Sequence, residues 1–301
     1  MPYLDLKQKL SDRKVVILDG AIGTELERRG VPMNPQAWCG AASINHFPIL
    51  ENVHSDYILA GAEIITTNTY ASNKLMLDAA GLVDNFKEIN SSAILAARDA
   101  INKSGLSNLA LAGSLSHRVP YLEEERAPSN QSLESAFNEM SLFLKTEKCD
   151  FILLEMMYHP DRIIPAFKAG LKTELPLWAG FSARRGKNGE VLSYYPFVDI
   201  PFKEIVKYLK MFPVSAAGIM HTPADVIEDA LKILKTVFDG PLTAYPDSGY
   251  FASPNWQFKD VISPEKLLEF SRLWVENGVQ VLGGCCGLSP EHIKAISILA
   301  R

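Results

Sequence analysis

The chain has 301 residues, of which 47% are apolar and 22% charged, and a formal net charge of −5. That composition is globular, and the acidic balance offers no basic surface for nucleic acid or an anionic membrane. No apolar run approaches the roughly 18 residues of a spanning helix, and MPYLDLKQKLSDRK lacks a signal-peptide core, so a cytoplasmic protein is expected.

One pattern recurs along the chain: a short apolar run, a turn marked by glycine or polar residues, then a longer helical stretch. The first run, VVIL (15–18), leads into DGAIGTEL and puts Asp19 at its end. EIITT (63–67) leads into TTNTYASN, which carries Thr67, Asn68 and Tyr70. A helical segment at 90–104 precedes LALAG (109–113), and EEERAPSN (123–130) reads as a solvated loop. FILLE (151–155) ends in Glu155, and LPLWAGF (175–181) is followed by ARRGKNGE (183–190), a mobile loop, hairpin or lid. VSAAGI (214–219) runs into His221, and the helical pattern of 223–238 opens at a proline with Thr222 as its expected N-cap. PLTAY (241–245) runs into YPDSG and Asp247, and a helix over 264–278 has Ser263 as its expected N-cap. VQVLGG (279–284) ends at Cys285 and Cys286.

Continuous apolar runs of this length suit strands buried on both faces. Eight of them alternating with helices predict a (β/α)8 TIM barrel, an α/β fold, as one domain over residues 1–301. A doubly wound open sheet is the alternative, but no glycine-rich phosphate fingerprint follows the first strand.

Chemistry in such a barrel collects at the C-terminal ends of the strands, and that is where the polar residues fall. Besides Cys285 and Cys286 the chain has only Cys39 and Cys149, which is no secreted disulfide framework. The ends of the sixth and eighth strands lie close in a barrel, so His221, Cys285 and Cys286 can meet on one ion. Two thiolates and an imidazole with a fourth place open suit catalytic zinc, which would keep a substrate thiol ionised. Plainer readings stand beside this one. Asp19 also reads as a turn residue, Glu155 as half of an ion pair, Tyr70 and Trp256 as packing, and His221 and the cysteines as core residues.

Together DGAIGTEL, TTNTYASNKL, FILLE, YPDSG and GGCCG resemble the homocysteine S-methyltransferase family, over about residues 13 to 300. The resemblance implies the same barrel, zinc held by Cys285 and Cys286, and Asp19 and Glu155 at the amino-acid part of homocysteine. It also places Tyr70 near the methyl donor, where an aromatic face attracts a cation. Tyr194, Tyr195 and Trp256 are further aromatic candidates, and Thr67, Asn68 and Asp247 complete the expected substrate-binding set. The chain departs from the family pattern in three places. His221 in GIMHTP (218–223) stands where the family has a third cysteine ligand, Asp247 stands for an asparagine, and GSLSHRVPY (113–121) replaces a G-P-Y-G stretch. The implied reaction moves a methyl group from a small onium donor to the homocysteine thiol, giving methionine. S-methylmethionine or S-adenosylmethionine is the expected donor, with betaine as a further one. Three alternatives stand: a different thiol or selenol acceptor, a protein-bound methyl carrier as donor, and a non-catalytic metal- or amino-acid-binding relative. The expected partners are small molecules, without nucleic acid or membrane; a homo-oligomer is also allowed.

Overall fold

The structure is a computed structural model that describes residues 2–120 and 127–300. Each of the eight apolar runs forms a strand: β1 Val16–Ile17, β2 Ile64–Thr66, β3 Ala110–Ser116, β4 Phe151–Met157, β5 Leu177–Phe181, β6 Ala216–Pro223, β7 Leu242–Asp247 and β8 Val279–Leu282. All neighbours pair in parallel, and β8 lies beside β1. The sheet closes where Leu18 bridges to Ile64 and the Glu63 amide donates to the Ile17 carbonyl at 2.7 Å. Closure leaves no open sheet edge and excludes the doubly wound alternative.

Side chains alternate across each strand, so one run supplies two cores. On β4, Phe151 and Leu153 point into the barrel, where they join Val16, Ile64, Ala112, Trp178 and Val281. Ile152 and Leu154 point outward and pack under the helices. The N-terminal helix Pro2–Ser11 sends Leu6 and Leu10 into the inner cluster, and its Tyr3 hydroxyl accepts from Trp178 Nε1 at 3.1 Å. The barrel is thereby filled from below, which leaves the C-terminal mouth as the open end.

The helical segment at 90–104 lies within helix Phe86–Ser104. Helix Pro264–Glu276 starts as expected, with Ser263 Oγ accepting from the Lys266 amide at 3.2 Å. Thr222 does not cap the next helix, Ala224–Leu234. Strand β6 continues through Pro223, and the Thr222 hydroxyl instead donates to the Met220 carbonyl and accepts from the Ala183 amide. The 183–190 segment forms a hairpin, pairing Ala183–Arg185 with Val191–Ser193. A second hairpin, Tyr250–Ala252 with Asn255–Gln257, was not expected. Of the loop expected at 123–130, residues 123–126 lie outside the described residues, while Ser129 caps helix Asn130–Thr146. Among the described residues no helix is long and apolar enough to cross a membrane.

Candidate metal and substrate site

The barrel mouth encloses a cavity of about 740 Å³, lined by residues that follow most of the strands. At its floor Asp19 is 2% exposed, and its carboxylate accepts from the Thr66 amide at 2.7 Å and the Thr66 hydroxyl at 2.8 Å. Burial raises its pKa to about 7, against the pull of the Thr66 hydrogen bonds. Glu155, half-buried, accepts from Ser114 Oγ, and burial raises it to about 7 as well. Two confined carboxyls that resist ionisation would be stabilised in their charged form by a nearby cation. The Tyr245 hydroxyl, which lines the same floor, has no protein partner among the described residues.

Two backbone irregularities aim side chains into this space. The pairing of β4 with β5 shifts between Leu154 and Met157, and that of β6 with β7 between Met220 and Pro223. Met156 and His221 sit at these shifts with φ of 55° and 43°, in a left-handed region that non-glycine residues avoid. Strain of this kind persists where the surroundings hold it, typically at functional sites.

The β8 loop brings up the cysteines. The Gly284 amide donates to the Asp19 carbonyl, Cys285 to the Pro246 carbonyl, and Ser248 to the Cys286 carbonyl at 2.9 Å, so β1, β7 and β8 fix one another. A Cβ on Gly283 would lie 2.9 Å from Leu18 Cβ, and one on Gly287, which has φ 85°, only 1.8 Å from the Ser248 carbonyl oxygen. The glycines flanking the cysteine pair are therefore required by close backbone approach.

His221, Cys285 and Cys286 each direct one donor atom to a common point, all within 4.8 Å of one another. His221 Nδ1 is 3.4 Å from Cys285 Sγ, and the two sulfurs are 4.0 Å apart. Ligands at 2.0–2.3 Å around a small tetrahedral cation would be separated by about 3.6 Å (N to S) and about 3.8 Å (S to S), so the set fits such an ion. Burial opposes charge on His221, but Asp247 and Cys285 outweigh it and raise its pKa to about 9. Cys285 is pushed well above the usual thiol range by its hydrogen bond to Cys286 and by burial. A bound dication would reverse both tendencies by displacing the protons. The other imidazole nitrogen, Nε2, meets the Tyr194 hydroxyl at 3.2 Å and the Asp247 carboxylate at 3.6 Å, an arrangement that fixes the ring for coordination through Nδ1.

The remaining expected residues divide. Thr67, Asn68 and Tyr70 all line the cavity. Thr67 bonds to Thr69 Oγ1 and the Ser114 amide, and Asn68 to Cys39 and Ser43, so their polar atoms already brace the wall. Asp247 faces His221 rather than the carboxyls of the floor. The Tyr70 hydroxyl donates to Met156 Sδ at 2.7 Å. Trp256 lies edge-on to His221 with ring centroids 5.7 Å apart, its indole N–H donating to the Ser248 carbonyl. Tyr195 is corrected: it turns away, stacks on Tyr158 and meets His159, and does not line the cavity. Sequence reasoning missed Thr66, Ser114, Tyr245 and Arg118. Strand alternation could have singled out Thr66 as inward-facing beside Asp19.

Comparison with known proteins agrees with the geometry. The chain is 28% identical to the Escherichia coli homocysteine S-methyltransferase, covering 97% of each chain. It is 26% identical to a Bacillus subtilis homocysteine S-methyltransferase, with 95% of each covered, and 24% identical to the Astragalus bisulcatus selenocysteine methyltransferase, covering 94% of this chain and 91% of that one. The fold matches the metallated form of the Escherichia coli homocysteine methyltransferase MmuM with a TM-score of 0.78 at 23% identity, over 99% of both chains. The family model for homocysteine S-methyltransferases matches residues 16–299, and the chain belongs to that family.

Proposed function

We propose that this protein is a zinc-dependent methyltransferase that moves a methyl group from a small sulfonium or quaternary ammonium compound to the thiol of homocysteine, giving methionine. The observation that carries the reading is the convergence, on one cavity, of a two-thiolate, one-imidazole donor set and a pair of confined carboxyls. His221, Cys285 and Cys286 would hold the zinc. Zinc bound there would leave one place open and keep a substrate thiol ionised at neutral pH, so that no protein base is required.

Asp19 and Glu155 would receive the substrate ammonium, which relieves the cost of their burial and sets the reach of the thiol side chain. Thr66 and Ser114 hold the two carboxyls in place. Tyr194 and Asp247 would orient the His221 ring. Asp247 also returns a negative charge near the site, in place of the charge a third thiolate would have supplied. The aromatic wall of Trp38, Tyr158, Tyr194 and Trp256 gives an onium group faces to lie against and excludes water from the transfer.

The test is to incubate zinc-replete protein with homocysteine and each of S-methylmethionine, S-adenosylmethionine and betaine, and to follow methionine by mass spectrometry. Methionine formed from at least one donor is expected; none from any would sink the reading and leave another acceptor, a protein-bound methyl carrier or a non-catalytic binding protein. A second acceptor, the selenol of selenocysteine, is favoured by the relatives named selenocysteine methyltransferases at 24% and 26% identity. Competition between the two acceptors in one reaction decides between them.

A further inference from the structure

The cavity holds a cation that the reaction outlined above does not use. Arg118 follows β3, within the stretch that departs from the family pattern. Its backbone is anchored on both sides: its amide donates to Ser116 Oγ at 3.2 Å, and its carbonyl accepts from Asn73 Nδ2 at 3.0 Å. Neighbouring His117 is fully buried and accepts from the Tyr158 and His159 amides, which ties the loop to the end of β4. The guanidinium lines the same cavity as the metal-ligand group. Among the described residues its Nε is buried without a hydrogen-bond partner, and no carboxylate lies within salt-bridge distance of it. Its carbon lies 6.0 Å from the centroid of Tyr70 and 5.8 Å from that of Phe251.

Two consequences follow. The aromatic face of Tyr70, expected to receive the donor's cation, is already shared with the chain's own cation. A donor that is only an onium would therefore enter beside a buried positive charge, and a donor with an additional ammonium would find no carboxylate left for it among the described residues of the cavity. Asp19 and Glu155 are committed to the acceptor, and Asp247 faces His221. A carboxylate on the donor removes both objections, because it neutralises Arg118 and satisfies the orphaned N–H.

We infer that Arg118 is the specificity-determining residue for the methyl donor, binding the carboxylate of a net-neutral onium carboxylate whose onium end is directed at the zinc-site thiol. The inference rests on the methyltransferase reading of the same cavity. In the transfer, the ionised acceptor sulfur forms a bond to the methyl carbon, and the onium–methyl bond breaks with its electron pair passing to nitrogen or sulfur. Positive onium and negative thiolate cancel, while the carboxylate and Arg118 keep their charges throughout. Their pairing is thus equally strong before and during the reaction, and its loss should appear in KM and not in kcat.

The test compares parent, Arg118→Gln and Arg118→Lys proteins, all zinc-replete. Glycine betaine and choline, which share the trimethylammonium group and differ in the carboxylate, are titrated calorimetrically without acceptor. Donor KM and kcat are then measured with saturating homocysteine. The parent should bind glycine betaine at least about 10-fold more tightly than choline. Arg118→Gln should weaken betaine binding and raise its KM by about 10- to 100-fold, with choline bound no more weakly than by the parent and kcat within about twofold; Arg118→Lys should recover part of the loss. Equal binding of the two ligands by the parent, or betaine binding unchanged in Arg118→Gln, overturns the inference. Betaine binding that depends on Arg118 in a protein that methylates no thiol would uphold the inference and count against the methyltransferase reading alone.

Discussion

Replacing Asp19 with asparagine should make the protein more stable while weakening its grip on the acceptor. Asp19 is 2% exposed and its pKa is raised from 3.8 to about 7, chiefly by burial. Between those values the folded chain holds a proton that the unfolded chain has released, so stability falls as the pH rises through that window. At 1.36 kcal/mol per pKa unit, the buried charge costs about 4 kcal/mol above pH 7 and about 1.5 kcal/mol at pH 5. Asparagine keeps the Thr66 contacts, its oxygen accepting from the amide and its NH₂ donating to the hydroxyl, and it carries no charge. The substitution should therefore stabilise the fold, by about 3 kcal/mol more at pH 8 than at pH 5. Urea unfolding of both proteins at the two pH values, with a chelator present, measures this difference. A gain that is the same at both pH values, or a loss at pH 8, would refute the argument that Asp19 is held charged at a cost. The same variant should bind homocysteine at least about tenfold more weakly, since one partner of the ammonium is gone.

Homocysteine affinity of the parent should fall as the pH drops below about 7, because Asp19 and Glu155 take up protons there; affinity that stays flat from pH 8 to pH 6 would contradict their role. Tyr194→Phe removes a hydroxyl 3.2 Å from His221 Nε2 and should weaken zinc affinity by about tenfold, as read by competition with a chromophoric chelator. Gly287→Ala would place a Cβ 1.8 Å from the Ser248 carbonyl oxygen, so it should lower the unfolding free energy by about 3 kcal/mol or more and loosen zinc.

The strands were legible because each is buried on both faces, which leaves continuous apolar runs such as FILLE and VSAAGI in the sequence. The convergence of His221, Cys285 and Cys286 was legible too, because strand order brings the ends of β6 and β8 to either side of β7. What escaped were features set by backbone detail. Thr222 reads locally as a cap, yet a strand that continues through Pro223 hands its hydroxyl to a hairpin. Tyr194 and Tyr195 are indistinguishable in sequence, and only the turn after the hairpin decides that Tyr194 meets His221 while Tyr195 packs outside the cavity. Asp247 reads as a substrate ligand at the rim, but the left-handed backbone at His221 turns the imidazole onto it. Arg118 carried no signal, since a lone arginine in a loop usually faces solvent.

The most direct test is the zinc content of the native protein, measured beside a His221→Ala variant by mass spectrometry of the metal. About one zinc per chain is expected in the parent and a sharp fall in the variant, with His221→Cys keeping the metal. Zinc retained undiminished by His221→Ala, or absent from the zinc-replete parent, would contradict the central claim that His221 completes the site begun by Cys285 and Cys286.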